Sequence, residues 1–118
     1  MGFVERRTDT VTVAAGSQLG GTNAQFLPDL DAQAADALLA QVETNADGAA
    51  LDVRALGRMT PNGTRTPIEG TNATLDVSNS GTIRRCDVSG LPRTAFEIAN
   101  SGAADVTLTL TLGTVEGR

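Results

Sequence analysis

The feature that most constrains the fold is the strict alternation of residues 105–112, which read Asp-Val-Thr-Leu-Thr-Leu-Thr-Leu. In an extended chain the apolar residues of this segment share one face: Val106, Leu108, Leu110 and Leu112. The three threonines share the other face, because side chains alternate along a strand. The segment therefore predicts a β-strand with one buried face. Val11 and Val13 repeat the pattern near the start of the chain.

Turn-forming residues separate further strand-like segments. Asn-Ala-Asp-Gly at 45–48 lies between 37–44 and 49–58, and Asp-Gly there favours a hairpin turn. Asn-Ser-Gly occurs at 79–81 and 100–102, where Asn and Gly tolerate the positive φ of a chain reversal. Together these signals predict strands at residues 37–44, 49–58, 71–78, 82–88, 93–99 and 105–115.

A short echo relates two of these segments. Residues 75–81 and 96–102 both read apolar, acidic, β-branched, small, Asn, Ser, Gly. The pattern indicates an acid on the solvent-exposed face between two buried side chains. We therefore expect Asp76 and Glu97 to be exposed, and two units are too few for a repeat protein.

Residues 29–43 are compatible with two structures. The segment is rich in Ala, and Asp29 or Asp31 could cap a helix. Its second half leads directly into the turn at 45–48, which favours a loop over 29–35 followed by a strand. The fold class expected is all-β: an antiparallel β-sandwich of about seven or eight strands, with the jelly roll as one topology that fits. This sandwich would span residues 9–118, after an N-terminal arm at residues 1–8.

The composition argues against several classes of function. The chain has no Lys, His, Trp or Tyr, and its net charge is −5. An acidic chain without Lys is poorly suited to neutralise phosphates or an anionic bilayer, so neither a nucleic-acid nor a membrane partner is expected. Without His, a Ser or Cys nucleophile lacks its usual base, and no pair of acids stands out for general acid–base work. We expect no enzymatic activity and no catalytic residues.

The excess of acids with Arg in place of Lys is also typical of extreme halophiles, whose acidic surfaces stay soluble in molar salt. A genome of high GC content favours Arg over Lys in the same way. Both explanations stay open.

Two groups of oxygen ligands invite a test for metal binding. Residues 43–48 resemble the first half of an EF-hand loop, but Arg54 stands where that pattern needs a bidentate Glu. Asp29, Asp31 and Asp36 could gather a cation, although a solvated acidic loop is the simpler interpretation. We therefore expect no metal and no cofactor.

The remaining candidates are single residues and pairs. Cys86 has no partner for a disulfide within the chain, and a small core position is expected for it. Asn62 and Asn72 begin N-glycosylation sequons. The Arg pairs at 6–7 and 84–85 are expected to be solvated, to bridge acids, or to contact carboxylates of a neighbouring copy.

Residues 88–108, from Val-Ser-Gly-Leu-Pro-Arg through the Asn-Ser-Gly turn to the Thr-alternating strand, carry a family resemblance. With the acidic, Lys-free composition, this segment resembles small virion proteins of tailed viruses that infect halophilic archaea. The resemblance implies a non-enzymatic structural protein: a capsid decoration, turret or minor capsid component, or alternatively a tail or head–tail component. It implies a virion location, and because residues 1–7 lack an apolar run we expect synthesis in the host cytoplasm without a signal peptide.

The resemblance also implies partners. These are further copies of the chain, with trimers and pentamers as plausible homo-oligomers, and the major capsid protein or another virion protein. An alternative from a different class is a carbohydrate- or calcium-binding β-sandwich module of a halophile surface protein.

Overall fold

The computed structural model describes residues 2–26, 29–44, 49–60, 62–77 and 81–116. These residues form ten strands and no helix, which confirms the all-β class. The strands are β1 (Phe3–Val13), β2 (Gln25–Phe26), β3 (Leu30–Asp31), β4 (Ala37–Thr44), β5 (Ala49–Arg58), β6 (Thr66–Pro67), β7 (Ala73–Val77), β8 (Thr82–Asp87), β9 (Arg93–Ala99) and β10 (Val106–Val115). Residues 29–43 contain β3, a turn and most of β4, so the helix alternative is wrong. Nothing in the described part of the chain is a helix long and apolar enough to cross a bilayer.

The strands form two antiparallel sheets. The four-stranded sheet has the order β1-β10-β4-β8, and the six-stranded sheet has the order β2-β9-β5-β6, with β3 also paired to β9 and β7 to β5. Pairing is nested along the chain: β1 with β10, β2 and β3 with β9, β4 with β8, and β5 with β7. A chain paired in this way is one long hairpin that has been rolled up, which is the jelly-roll topology.

The predicted hairpin between residues 37–44 and 49–58 is wrong. β4 pairs with β10 and β8 in the four-stranded sheet, whereas β5 pairs with β9, β6 and β7 in the six-stranded sheet. The strands on either side of 79–81 and of 100–102 likewise lie in opposite sheets. Residues 45–48 and 78–80 themselves lie outside the described part of the chain. Turn residues predict that the chain changes direction, but not which strand it pairs with afterwards.

The N-terminal segment is part of a sheet. Residues 3–8, expected from the sequence to form an arm, are instead the first part of β1. They continue the ladder with β10 that runs from Phe3 opposite Val115 to Val13 opposite Val106, with a register shift between Phe3 and Glu5. Threonine and β-branched residues along β1 favour this extended pairing.

An apolar core lies between the two sheets. All four apolar residues of the alternating segment in β10 are buried, as that alternation predicts. β9 adds Phe96 and Ile98, and β5 adds Leu51 and Val53. Burying one such side chain contributes about 2 kcal/mol, so these alternating strands are the main source of stability.

Candidate interaction surfaces

The outer face of the four-stranded sheet carries two rows of threonine. Their members stand opposite each other in register: Thr8, Thr10 and Thr12 on β1, and Thr111, Thr109 and Thr107 on β10. The Oγ1 atoms of Thr8 and Thr111 are 3.1 Å apart, and those of Thr12 and Thr107 are 2.9 Å apart. These hydrogen bonds link the two strands and leave a hydroxylated surface.

Beside the threonine rows lies an apolar patch, formed by Phe3, Leu39, Ile83, Gly113 and Val115. Phe3 is 52% exposed and Ile83 is 66% exposed, and both border a small depression of about 130 Å³. A Cβ at position 113 would overlap the Phe3 ring, so glycine lets the ring lie against the sheet. Contiguous apolar surface on the outside of a sheet is typical of a contact site for another molecule.

Cationic side chains border the apolar patch. The guanidinium carbon of Arg6 lies 5.1 Å from the centroid of the Phe3 ring, within reach of a cation–π interaction. Arg85 and Glu116 line a depression of about 350 Å³ on another side of Phe3. Arg6 of the pair at 6–7 and Arg85 of the pair at 84–85 therefore lie next to the apolar patch. This arrangement suits a partner surface that is apolar and acidic.

The outer face of the six-stranded sheet contains a buried ion pair. Arg54 and Glu97 stand opposite each other on β5 and β9, with Nε of Arg54 2.6 Å from Oε1 of Glu97. The other carboxylate oxygen accepts a hydrogen bond from the backbone N–H of Gly20. Glu97 is only 4% exposed, so the expectation of an exposed acid is correct for Asp76 and wrong for Glu97. The sequence echo does not predict this difference. It arises because residues 14–24 cover β9, which carries Glu97, and do not cover β7, which carries Asp76.

A pocket of about 410 Å³ opens at the β5–β7 connection. Its apolar wall is formed by Met59, Pro67, Ile68 and Leu91, and threonine hydroxyls line part of its rim. Gly57 forms its floor, since a Cβ there would come within 2.6 Å of the Leu91 side chain. The pocket could hold a small, partly apolar group.

The three acids considered for a cation site do not gather. Asp29 accepts hydrogen bonds from two arginines, Arg58 at 2.8 Å and Arg65 at 2.9 Å. Oδ1 of Asp31 accepts from the backbone N–H of Gln33, and Oδ1 of Asp36 accepts from the Ser89 hydroxyl. Among the described residues, no group of three or more acidic or Cys side chains is placed to hold a metal ion.

The EF-hand-like segment divides between described and undescribed residues. Glu43 is exposed near the end of β4, and Arg54 forms an ion pair with Glu97. Residues 45–48 lie outside the described part of the chain.

Cys86 lies in the core at 4% exposure, and burial raises the pKa of its thiol, so the core position expected for it is confirmed. Its neighbour Arg84 turns inward and donates from Nη2 to the carbonyl of Thr71 at 3.1 Å. Both sequon residues, Asn62 and Asn72, are exposed.

No protein-family model and no curated protein matches the chain. Solved structures do match: the Yersinia pseudotuberculosis-derived mitogen has a TM-score of 0.61 at 13% identity, over 97% of this chain and 89% of that one. PirA has a TM-score of 0.55 at 8% identity, over 91% of this chain and 92% of that one. Viral structures also match. Among them, the infectious bursal virus derived T=1 particles have a TM-score of 0.46 at 17% identity, over 98% of this chain and 33% of that one. Identities this low show a shared fold, and a TM-score below 0.5 supports no inference about function.

Proposed function

We propose that this chain is a non-enzymatic structural protein of a virus particle, a capsid decoration, turret or minor capsid component, that attaches through its apolar patch. The observation that carries the proposal is the pair of large side chains, Phe3 and Ile83, each more than half exposed on a sheet that is otherwise faced largely by threonine. A side chain of this size contributes about 2 kcal/mol when a partner removes it from water.

The charges around the patch indicate the chemistry of the partner. Arg6 and Arg85 would meet carboxylates on an acidic capsid surface, and Arg forms bidentate contacts with carboxylates. The resemblance of residues 88–108 to small virion proteins of haloarchaeal tailed viruses supports the same partner, because proteins of such particles carry acidic surfaces.

The charged groups inside the fold support a structural role over catalysis. The carboxylates of Glu97 and Asp29 are both engaged by arginines that hold segments of the chain in place. Catalytic carboxylates usually differ from each other in environment and face a cleft. Here both serve as anchors between parts of the fold.

The test is to find the chain in virus particles from its source. Its peptides should band with the major capsid protein in a density gradient, and Ile83→Asp should move the protein to the unbound fractions while Thr10→Asp, on the same face outside the patch, should not. Immunogold labelling would separate the capsid role from the tail or head–tail role. A chain that never bands with particles contradicts the proposal.

The pocket near Gly57 favours a second candidate, a ligand-binding module of a surface protein. Its threonine rim and apolar wall fit a small glycan fragment. Calorimetry with glycan libraries should then give heat that Leu91→Trp abolishes by filling the pocket, and a separate titration with Ca²⁺ tests the calcium-binding alternative. Absence of heat with both probes removes this candidate.

A further inference from the structure

Strand β1 is a long edge. It runs for eleven residues, pairs with β10 on one side, and is last in the order of the four-stranded sheet among the described strands. Residues 6–10 are exposed. An edge strand presents unpaired N–H and C=O groups to any strand of suitable sequence, so proteins either block such an edge or use it.

Symmetry restricts how β1 could pair with β1 of a second copy. A two-fold axis perpendicular to the sheet keeps each residue and its copy on the same face of the joined sheet. Directly opposed residues of antiparallel strands also share a face, and side chains alternate between faces. Only registers centred on one residue, which then stands opposite its own copy, satisfy both conditions.

Charge excludes four of these centres. A register centred on Glu5, Arg6, Arg7 or Asp9 places that residue opposite an identical charge, with the two Cα atoms about 5 Å apart. Like charges directly opposed across strands are destabilising.

Charge also favours one centre. A register centred on Thr8 places Arg7 opposite Asp9 of the second copy and Asp9 opposite Arg7 of the second copy. Its regular part covers residues 5–11, because the register shift between Phe3 and Glu5 ends the regular alternation there. A register centred on Thr10 overlaps residues 7–13, but it opposes no charged pair.

We propose that two copies of this chain associate through antiparallel pairing of β1 with β1, centred on Thr8, and join their four-stranded sheets into one. Two Arg7–Asp9 pairs then flank the axis. Arg7 is free to make this contact, because its side chain is 42% exposed and its Nε lies 3.9 Å from Glu5, a weak intrachain pair. The threonine rows of the two copies become continuous across the axis, since Thr8 already bonds Thr111.

The other edge of the same sheet, β8, fits β1 less well. The Arg84 guanidinium on β8 is turned inward to the Thr71 carbonyl, so it is not placed to pair with Asp9 of another copy. A β1–β8 contact is also heterologous, and head-to-tail addition to a twisted sheet builds open chains rather than a closed dimer.

A cysteine cross-link tests the register. Thr8→Cys should give a disulfide-linked dimer under mild oxidation, because the two Cα atoms would lie about 5 Å apart. Thr10→Cys is the matched control on the same strand and face: its two copies would lie about 14 Å apart, too far for a disulfide. Cys86 does not interfere because it is buried. Equal cross-linking of both variants, or of neither, overturns the proposal.

Charge reversal tests the pairing without any cross-link. In about 0.15 M salt, Arg7→Asp alone and Asp9→Arg alone should each weaken dimerisation at least about tenfold by analytical ultracentrifugation, since each opposes like charges. Mixing the two variants should restore a 1:1 heterodimer, and the double variant should restore the homodimer. Circular dichroism checks that each variant is folded. Mixtures that stay monomeric, or a ladder of larger species, overturn the proposal.

The inference rests on the proposed function, because both require that the chain assembles with other protein molecules. The two proposals can nevertheless fail separately. A chain that bands with particles but gives no Thr8→Cys dimer loses the β1 contact alone. A chain that dimerises through β1 but never bands with particles loses the virion role alone.

Discussion

The two outer faces of this sandwich differ in what covers them. Residues 14–24 run over the six-stranded sheet: Gly16 donates to the carbonyl of Gly102, Ser17 accepts from the N–H of Asn100, and Gly20 donates to Glu97. Over the threonine rows and the apolar patch of the four-stranded sheet, the described residues place no comparable segment. One face is closed by polar bonds within the chain, and the other is open among the described residues.

The difference shows where polar side chains stabilise this fold. Covering a sheet face removes its polar groups from water, so each one needs a partner within the protein. On the open face, water satisfies the same groups, and side chains there contribute little to stability. Substitutions on the two faces should therefore separate into large and small effects on the free energy of unfolding.

The largest effect is expected at Glu97. Glu97→Ala leaves the Arg54 guanidinium half-buried without its carboxylate and the Gly20 N–H without its acceptor, and breaking a buried pair in this way costs about 3 kcal/mol. Urea denaturation followed by circular dichroism measures it. Asp76→Ala is the matched control, because Asp76 has the same place in the sequence echo but is exposed; a change within about 0.5 kcal/mol is expected. Equal costs at both positions would mean that the covering segment does not close its face.

The next effect is expected at Asn100, which joins the ends of β1 and β10. Its Nδ2 donates to the carbonyls of Val13 and Ala104, at 3.2 and 2.7 Å, and its Oδ1 accepts from the N–H of Gly102. Asn100→Ala leaves these groups unsatisfied and should cost about 2 kcal/mol in the same assay. Asn72→Ala, at an exposed asparagine, should cost almost nothing.

Asn100 also shows what the sequence could and could not predict. Its Asn-Ser-Gly context correctly predicts a change of chain direction. That its side chain is buried follows from the path of residues 14–24, which no local pattern encodes. The same holds for Glu97, whose sequence context matches that of Asp76 while its surroundings do not.

The strands themselves were within reach of sequence analysis. The boundaries predicted for residues 37–44, 49–58 and 93–99 agree with β4, β5 and β9, because alternation and turn residues act locally. The pairing of the strands could not be predicted in this way, since a jelly roll joins strands that are distant in sequence, such as β1 and β10. The apolar patch was missed for the same reason: Phe3, Leu39 and Ile83 come from three strands that meet only in the folded sheet.

A smaller effect is expected from Cys86, on the core side of β8. Burial raises the pKa of its thiol above the ordinary value of 9.0, so the folded state keeps its proton at a pH where the unfolded chain loses it. The free energy of unfolding should not depend on this group below about pH 9 and should fall as the pH rises through the folded pKa. Cys86→Ala should remove that part of the slope. In its background, Ile83→Cys on the open side of β8 should react rapidly with a thiol reagent at pH 8, whereas native Cys86 should not.

The smallest effect on stability is expected at Ile83 itself. Because this side chain is 66% exposed, Ile83→Thr should change the free energy of unfolding of the isolated chain by no more than about 0.5 kcal/mol. The same substitution should weaken attachment to particles about tenfold, since a buried isoleucine contributes more than a threonine at an apolar contact. Thr10→Val, on the same face but outside the apolar patch, should change neither quantity. A loss of stability at Ile83 without a loss of attachment would assign the open face to the fold itself, and the contrast between the two faces would then disappear.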